Sequence, residues 1–165
     1  MAASDATEDY RLAAVRLDKD SIERGTPDQE HERSIAIYDL IENNRFKPAD
    51  AMPGPYQLVL GLAERRLVFD VRDSDDNPVM THLLSLSPFR RVVKDYFLIC
   101  ESYYEAIRSA SSERIEAIDM GRRGVHDEAA NIVMERLSGK VEIDFNTARR
   151  LFTLIAALSW TGREA

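Results

Sequence analysis

The sequence lacks the features that would link it to secretion, to a membrane or to nucleic acid. Cys100 is its single cysteine, which excludes a disulfide within the chain. No segment approaches the ~20 apolar residues of a membrane-spanning helix, and residues 1–9 have neither the basic start nor the apolar run of a secretory signal. The 22 basic and 29 acidic residues give a net charge of −7, which disfavours unspecific binding to nucleic acid or anionic lipid. We therefore expect a cytoplasmic protein.

The sequence also lacks the motifs of the common reactions. It has no GxSxG elbow, no Walker loop, no dinucleotide fingerprint and no HExxH pair. Asp73–Asn77 begins like a calcium loop, but Pro78 and Leu84 stand where that loop requires glycine and glutamate. One cysteine and three scattered histidines cannot build a structural zinc site. We expect neither a metal nor a cofactor.

Length and composition are those of one ordinary globular domain. The 165 residues are 44% apolar and 31% charged, and a chain of this size buries roughly 70% of its unfolded surface. Residues 1–9 are small or acidic for the most part, and we expect them to form a disordered tail. A single domain is predicted over residues 10–162.

Hydrophobic periodicity predicts an α+β fold. A strand is predicted at Tyr10–Leu17, and Thr26 opens a helix that runs to about Asn43. Three strands follow between Tyr56 and Leu86, and their short polar turns make them antiparallel neighbours. With the helices that come afterwards, this order predicts an antiparallel sheet of about four strands packed against a long central helix, with a helical C-terminal half.

The long helix is the most amphipathic part of the chain. It is predicted over Ser85–Arg108, with Ser87 as the N-cap and Pro88 in the first helical position. Its large apolar side chains recur at the spacing of one helical face: Phe89, Val92, Val93, Tyr96, Phe97, Cys100, Tyr103, Tyr104 and Ile107. Because a stripe of this kind is usually core, we expect it to anchor the domain, with Cys100 as a buried thiol.

Two shorter helices separated by a turn are predicted next. Ser111 or Ser112 caps the first, which ends near Met120, and the second covers Gly124–Leu137. The turn between them, Gly121–Gly124, resembles the GxxG loop with which KH domains clamp RNA phosphates. The strands that surround this loop in a KH domain are not predicted, so a glycine C-cap followed by a plain turn is favoured.

Arginine doublets are the second conspicuous feature. Arginine outnumbers lysine 18 to 4, and its planar fork suits carboxylate or phosphate. Arg90, Arg91, Arg122 and Arg123 are therefore candidate anion-binding residues. Ion pairing on an acidic protein is the favoured alternative, because adjacent helical residues point about 100° apart and surface ion pairs are common.

His126 is the histidine closest in sequence to other groups of catalytic type. Across the predicted turn, Asp119 could orient its ring, and His126 could then act as a general acid or base. A histidine that bonds a local carboxylate near the start of a helix is the favoured alternative.

Several longer blocks resemble one known family. They are His31–Arg33, Gly54–Tyr56, Arg66–Asp70, Ser87–Arg91, Lys94–Phe97, Cys100–Arg108, Ile115–Gly124 and Thr147–Leu154. On these blocks the chain resembles Uncharacterised Protein Family 0262, a group of small alphaproteobacterial proteins, from about Tyr10 to Trp160. The resemblance implies a cytosolic bacterial protein of unknown function, with no cofactor or catalytic residue to carry over.

Three functions remain open on the sequence alone. The leading hypothesis is a non-enzymatic interaction or regulatory module, whose partner is an unknown protein or a small anionic ligand. The alternative is an enzyme acting on an anionic, phosphorylated small molecule that is held by Arg122 or Arg123. Weak RNA binding through Gly121–Gly124 is the third hypothesis, and the negative charge of the chain makes it the least favoured.

Overall fold

A computed structural model describes residues 9–159 of the chain. Six strands and four helices lie in this range, with a 3₁₀ turn at Ser87–Phe89. The strands are β1 (Leu12–Leu17), β2 (Phe46–Pro48), β3 (Tyr56–Ala63), β4 (Arg66–Arg72), β5 (Pro78–Ser85) and β6 (Val141–Ile143). The helices are α1 (Pro27–Glu42), α2 (Arg90–Ser109), α3 (Ser112–Leu137) and α4 (Phe145–Ser159). The predicted α+β class and the helical C-terminal half are confirmed, while most of the predicted tail lies outside the described residues.

The main sheet has the strand order β1-β3-β4-β5. β3, β4 and β5 form the predicted antiparallel meander, joined by tight turns. β1 pairs with β3 in parallel, so the sheet is mixed. The reason is topological: α1 lies in the connection between these two strands, and a helical crossover brings parallel strands side by side. β2 and β6 form a separate two-stranded sheet.

The helix at the centre of the core is α4, the last one. Eight of its side chains are buried: Thr147, Ala148, Leu151, Phe152, Leu154, Ile155, Ala156 and Ala157. Six of them, all but Thr147 and Ala157, belong with the inward face of the sheet to one contiguous cluster, which includes Leu58 and Phe69. α1 and α3 both pack on α4. The predicted long helix, α2, buries only Val92 and Ala106, so its place as the central anchor is taken by α4.

Helix starts follow the sequence in one case and depart from it in another. α1 has a complete capping box, in which Thr26 and Gln29 exchange side-chain bonds with each other's backbone N–H groups. α2 begins at Arg90, later than predicted, because Ser87–Phe89 form the 3₁₀ turn. Ser87 is therefore not the N-cap of the helix, and that prediction was wrong.

The predicted turn at Gly121–Gly124 is also wrong, because α3 runs through it without a break. A Cβ atom added to Gly121 would meet only Ile99, at 3.4 Å, and one added to Gly124 would meet nothing within 4 Å. Neither position therefore needs a glycine for space. Glycine costs about 1 kcal/mol relative to alanine inside a helix, and the packing of α3 against α2 offsets that cost.

Asn44 connects the first strand to the first helix. Its Oδ1 accepts a hydrogen bond from the Leu12 backbone N–H at 2.8 Å. Its Nδ2 donates to the Leu12 carbonyl at 3.1 Å and to the Leu40 carbonyl at 2.8 Å. The side chains of Leu12 and Leu40 are fully buried. One amide thus satisfies backbone groups on the open edge of β1, where no further strand pairs.

Replacement of Asn44 tests this connection. We expect Asn44→Ala to lower the free energy of unfolding by about 2 kcal/mol, because it leaves backbone groups at the edge of β1 without partners. Asn43→Ala is the matched control, since the exposed Asn43 side chain lies one residue away, and it should change stability by less than about 0.5 kcal/mol. Urea denaturation measures both values, and equal midpoints for the two variants would contradict the assignment.

Candidate functional site

α2 and α3 form an antiparallel helical hairpin joined by two residues, Ala110 and Ser111. Ser111 caps α3 by accepting a hydrogen bond from the Arg114 backbone N–H at 3.2 Å. The helices pack along their length, and Arg91 near the start of α2 reaches Glu128 in the second half of α3. The hairpin is thus a regular two-helix unit that is attached to the rest of the domain at one end.

Few residues of this hairpin are buried. Between Val92 and Ala129, Ala106 is the one residue that the structure buries. Four large apolar side chains in the same stretch are at least half exposed: Leu98 at 54%, Tyr104 at 61%, Ile107 at 50% and Met120 at 66%. The prediction that the stripe on this helix is core holds for its first turns, where Val93, Tyr96 and Phe97 pack against the core. It is wrong for the last turns, which point into solvent.

The apolar stripe has a regular repeat that runs from its half-buried first turns to its exposed last turns. Val93, Phe97, Cys100, Tyr104 and Ile107, which we call the apolar face of α2, follow one another at intervals of four, three, four and three residues. This spacing is that of the contact positions of a coiled coil. The first four of these residues line a groove of about 790 Å³ that reaches Ser159 at the end of α4.

Charged side chains flank the apolar face on one side. They are Arg90, Lys94, Glu101, Glu105 and Arg108, and all five line the same groove and are exposed. Within residues 9–159 none of the five makes an ion pair. The groove thus combines an apolar floor with a rim of unused charges, basic at Arg90 and Lys94 and acidic at Glu101 and Glu105.

A second cleft borders the apolar face on its other side. It has a volume of about 300 Å³ and lies between α2 and α4, with Thr153, Ala156 and Ala157 on the α4 wall. Phe97, Cys100 and Tyr104 line both this cleft and the groove. The apolar face of α2 is therefore accessible from two sides.

Cys100 is not activated as a nucleophile. Burial raises the pKa of its thiol, although a side-chain hydrogen bond with Tyr96 and the charge of Arg122 act in the opposite direction. Burial also raises the pKa of Tyr96. Because the thiolate is the reactive form of cysteine, the raised pKa disfavours nucleophilic chemistry at Cys100, whose side chain is half-buried and not buried as predicted.

His126 connects α3 to α4. Its Nε2 lies 3.0 Å from the Arg149 carbonyl oxygen and 3.1 Å from the Thr153 hydroxyl oxygen. The Arg149 guanidinium lies 3.3 Å from Nδ1, so Nε2 donates and Nδ1 accepts. The ring contacts Tyr96 and Phe152 with centroid separations of 5.6 Å and 5.8 Å. Both nitrogens of a neutral imidazole are thus used in holding the two helices together.

Asp119 and His126 are not brought together by the fold. They lie seven residues apart on one continuous helix, which separates them by about 10 Å along its axis. Asp119 accepts from Arg122 at 2.6 Å and pairs with Arg123 at 3.0 Å. A catalytic role for Asp119 and His126 stays a prediction, and their contacts do not support it.

The arginine doublets are largely occupied by carboxylates of the same hairpin. Arg91 pairs with Asp95 at 2.9 Å and also with Glu128. Arg122, besides its pair with Asp119, lies over the Tyr103 ring at 4.2 Å from the centroid. Arg90 alone among the four candidate arginines has no carboxylate partner within the described part of the chain. Anion binding by these residues stays a prediction. Ion pairing, the favoured alternative, accounts for the contacts that they make with carboxylates.

The described residues contain no candidate metal site and no candidate membrane span. Between residues 9 and 159, no three His, Cys, Asp or Glu side chains lie close enough together to hold a metal ion. In the same range, no helix is long and apolar enough to cross a membrane.

Sequence reasoning missed the apolar face of α2 as a site, although its signal was present. The four-three spacing from Val93 to Ile107 is readable in the sequence, as are the charges beside it. The spacing does not say whether the stripe meets the chain's own core or remains free. That depends on α4, which fills the core instead.

Comparison with known proteins gives one consistent result. The sequence pattern of the Uncharacterised protein family (UPF0262) matches residues 9–161. A UPF0262 protein of Rhodopseudomonas palustris (strain BisB5) is 64% identical over 152 residues, which cover 92% of this chain and 93% of the relative. A UPF0262 protein of Nitrobacter hamburgensis is 62% identical with the same coverage. Another, of Nitrobacter winogradskyi, is 61% identical over 93% of this chain and 92% of its own. No solved structure matches significantly.

The contacts of His126 predict a pH dependence of stability. Burial lowers the pKa of His126 below its ordinary value of 6.5, so the folded chain keeps the ring neutral while the unfolded chain takes up a proton. Stability should therefore fall as the pH drops below 6.5 towards the lowered pKa. We expect His126→Gln to flatten this decline between about pH 7.5 and about pH 5.5, as measured by urea midpoints.

Two further histidines serve as comparisons. His31→Gln changes an exposed residue in the first part of α1 and should keep the pH dependence of the wild type. His82→Gln should also remove a part of it, because burial lowers the pKa of His82 as well. A decline as steep in His126→Gln as in the wild type would show that this ring is not the group responsible.

Proposed function

The chain belongs to Uncharacterised Protein Family 0262, whose function is unknown, and we propose that it acts as a non-enzymatic interaction module in the cytoplasm. The docking surface is the apolar face of α2. The observation that carries this proposal is the exposure of Tyr104 and Ile107 on a hairpin that, between Val92 and Ala129, places one residue, Ala106, in the interior. A helix face of this kind fits a partner that covers it with an apolar surface of its own.

Burial energetics support a docking role. Burying one large apolar side chain is worth roughly 1.5–3 kcal/mol relative to leaving it in water. Within residues 9–159, Tyr104 and Ile107 obtain at most about half of this stabilisation, since they are 61% and 50% exposed, and Phe97 is half-buried. A helix laid along the groove would supply it, and pairing an amphipathic helix with an apolar groove is a recurrent mode of protein recognition.

The two alternative functions have weaker support. An enzyme acting on a phosphorylated molecule would need Arg122, Arg123 and His126 to share a pocket. The arginines pair with Asp119, and His126 bonds to α4 instead. RNA binding through Gly121–Gly124 would need a loop whose backbone approaches phosphate, and these residues lie inside a helix. No contact among residues 9–159 favours either alternative over docking.

Photo-crosslinking at two matched tyrosines tests the docking surface. Tyr104 and Tyr38 have similar exposures, 61% and 64%, and lie on different helices. With a photoreactive aromatic residue at position 104, we expect one discrete crosslinked species in cells, whether with another protein or with a second copy. The same residue at position 38 should give none.

An additional charge on the apolar face should abolish this product. We expect Ile107→Lys to remove the crosslink from position 104 while changing the free energy of unfolding by less than about 1 kcal/mol, because half of the side chain is exposed and a cation suits the last turns of a helix. Thermal unfolding checks the second point. Equal, diffuse crosslinking at positions 104 and 38 would contradict a docking role for this face.

A further inference from the structure

We infer that the occupant of the apolar face of α2 is the same face of a second copy of this chain, with the two α2 helices antiparallel about a two-fold axis. This inference rests on the proposed docking role and names the partner. Two independent features of α2 favour it over an unrelated partner. One is the spacing of the apolar residues, and the other is the order of the charges beside them.

The spacing suits a helix of the same kind. Alternating intervals of four and three residues keep the apolar face straight over about 21 Å of helix. With the axis between Leu98 and Ile99, Phe97 lies opposite Cys100 of the second copy, and Val93 lies opposite Tyr104 of the second copy. Each contact layer then pairs a large side chain with a smaller one, which is the arrangement that fills space between two helices.

The charges are self-complementary in the same register. Lys94 and Glu101 follow the apolar residues at equivalent positions of the repeat and lie on the same side of the face. Antiparallel packing about that axis brings Lys94 beside Glu101 of the second copy, and two-fold symmetry makes this pair occur twice. A parallel pair would place the two copies of Lys94 on opposite sides of the contact, and the two copies of Glu101 likewise, so that the two residues would not meet. The antiparallel arrangement thus pairs opposite charges that the parallel one leaves unpaired.

The side chains that this arrangement uses are free to take part in it. Lys94 and Glu101 make no ion pair within residues 9–159, and both are exposed. The neighbouring Arg91 is already paired with Asp95 and Glu128 and is not needed.

Charge reversal provides the first test. In sedimentation equilibrium we expect the wild type to be a dimer, and Lys94→Glu or Glu101→Lys to weaken dimerisation roughly tenfold or more, since each reversal turns two attractive pairs into repulsive ones. The double variant Lys94→Glu/Glu101→Lys should restore the wild-type dissociation constant. Lys140→Glu, an exposed position outside the hairpin, is the control and should leave it unchanged.

Engineered cysteines test the register. In a Cys100→Ser background, Val93→Cys and Tyr104→Cys lie eleven residues apart on one helix, about 16 Å, too far for a disulfide within the chain. We expect the double-cysteine variant to form covalent dimers under mild oxidation and either single variant to form few. Efficient crosslinking of the single variants would indicate a parallel pair and would overturn the inference.

Failure of this inference is distinguishable from failure of the docking role. A wild type that stays monomeric at high concentration would overturn the second-copy assignment. If position 104 then crosslinks to another protein, or to residues 160–165 of its own chain, the face still has an occupant. If position 104 crosslinks to nothing, the docking role fails as well. A dimer unaffected by both charge reversals would show that the copies meet at another surface.

Discussion

The burial of α4 is the constraint on which the rest of the structure depends. Its side chains from Thr147 to Ala157 fill the space between the sheet, α1 and the second half of α3. Once α4 occupies that space, the core has no room for the last turns of α2. The exposure of Tyr104 and Ile107 is therefore not a local accident of α2. It follows because α4, and not α2, occupies the interior. The hairpin extends away from the core because α4 has already filled it.

The fold was predictable from sequence wherever the signal is local. The meander β3-β4-β5 and the capping box at Thr26 depend on residues only a few positions apart, and both were predicted. The parallel pairing of β1, the unbroken α3 across Gly121–Gly124 and the central place of α4 depend on contacts between distant segments. Periodicity shows that a helix has an apolar side but not what that side contacts. A glycine lowers the helix propensity of a segment, and tertiary packing can override that loss.

The candidate site shows the same difference between what local sequence predicts and what contacts between distant segments decide. The arginines and His126 were identified by residue type, but their roles depend on partners that sequence spacing does not reveal. Asp119 and Glu128 form ion pairs with arginines of the doublets, and Arg149 and Thr153 form hydrogen bonds with His126. These polar groups therefore stabilise helix contacts, while the surface that remains without partners is apolar. A search guided by catalytic residue types passes over such a surface, because nothing in its composition differs from core.

The attachment of the hairpin at one end has a consequence for the dynamics of the chain. Opening of the hairpin tip, residues 98–124, would expose a single buried side chain, Ala106, so it costs little of the free energy that holds the sheet and α4 together. The molecule therefore has two levels of cooperativity. The backbone amides of the hairpin tip exchange with solvent through local opening, whereas those of α4 exchange only when the whole domain unfolds. A partner bound on α2 raises the free energies of local opening and of global unfolding alike, because both destroy its binding site.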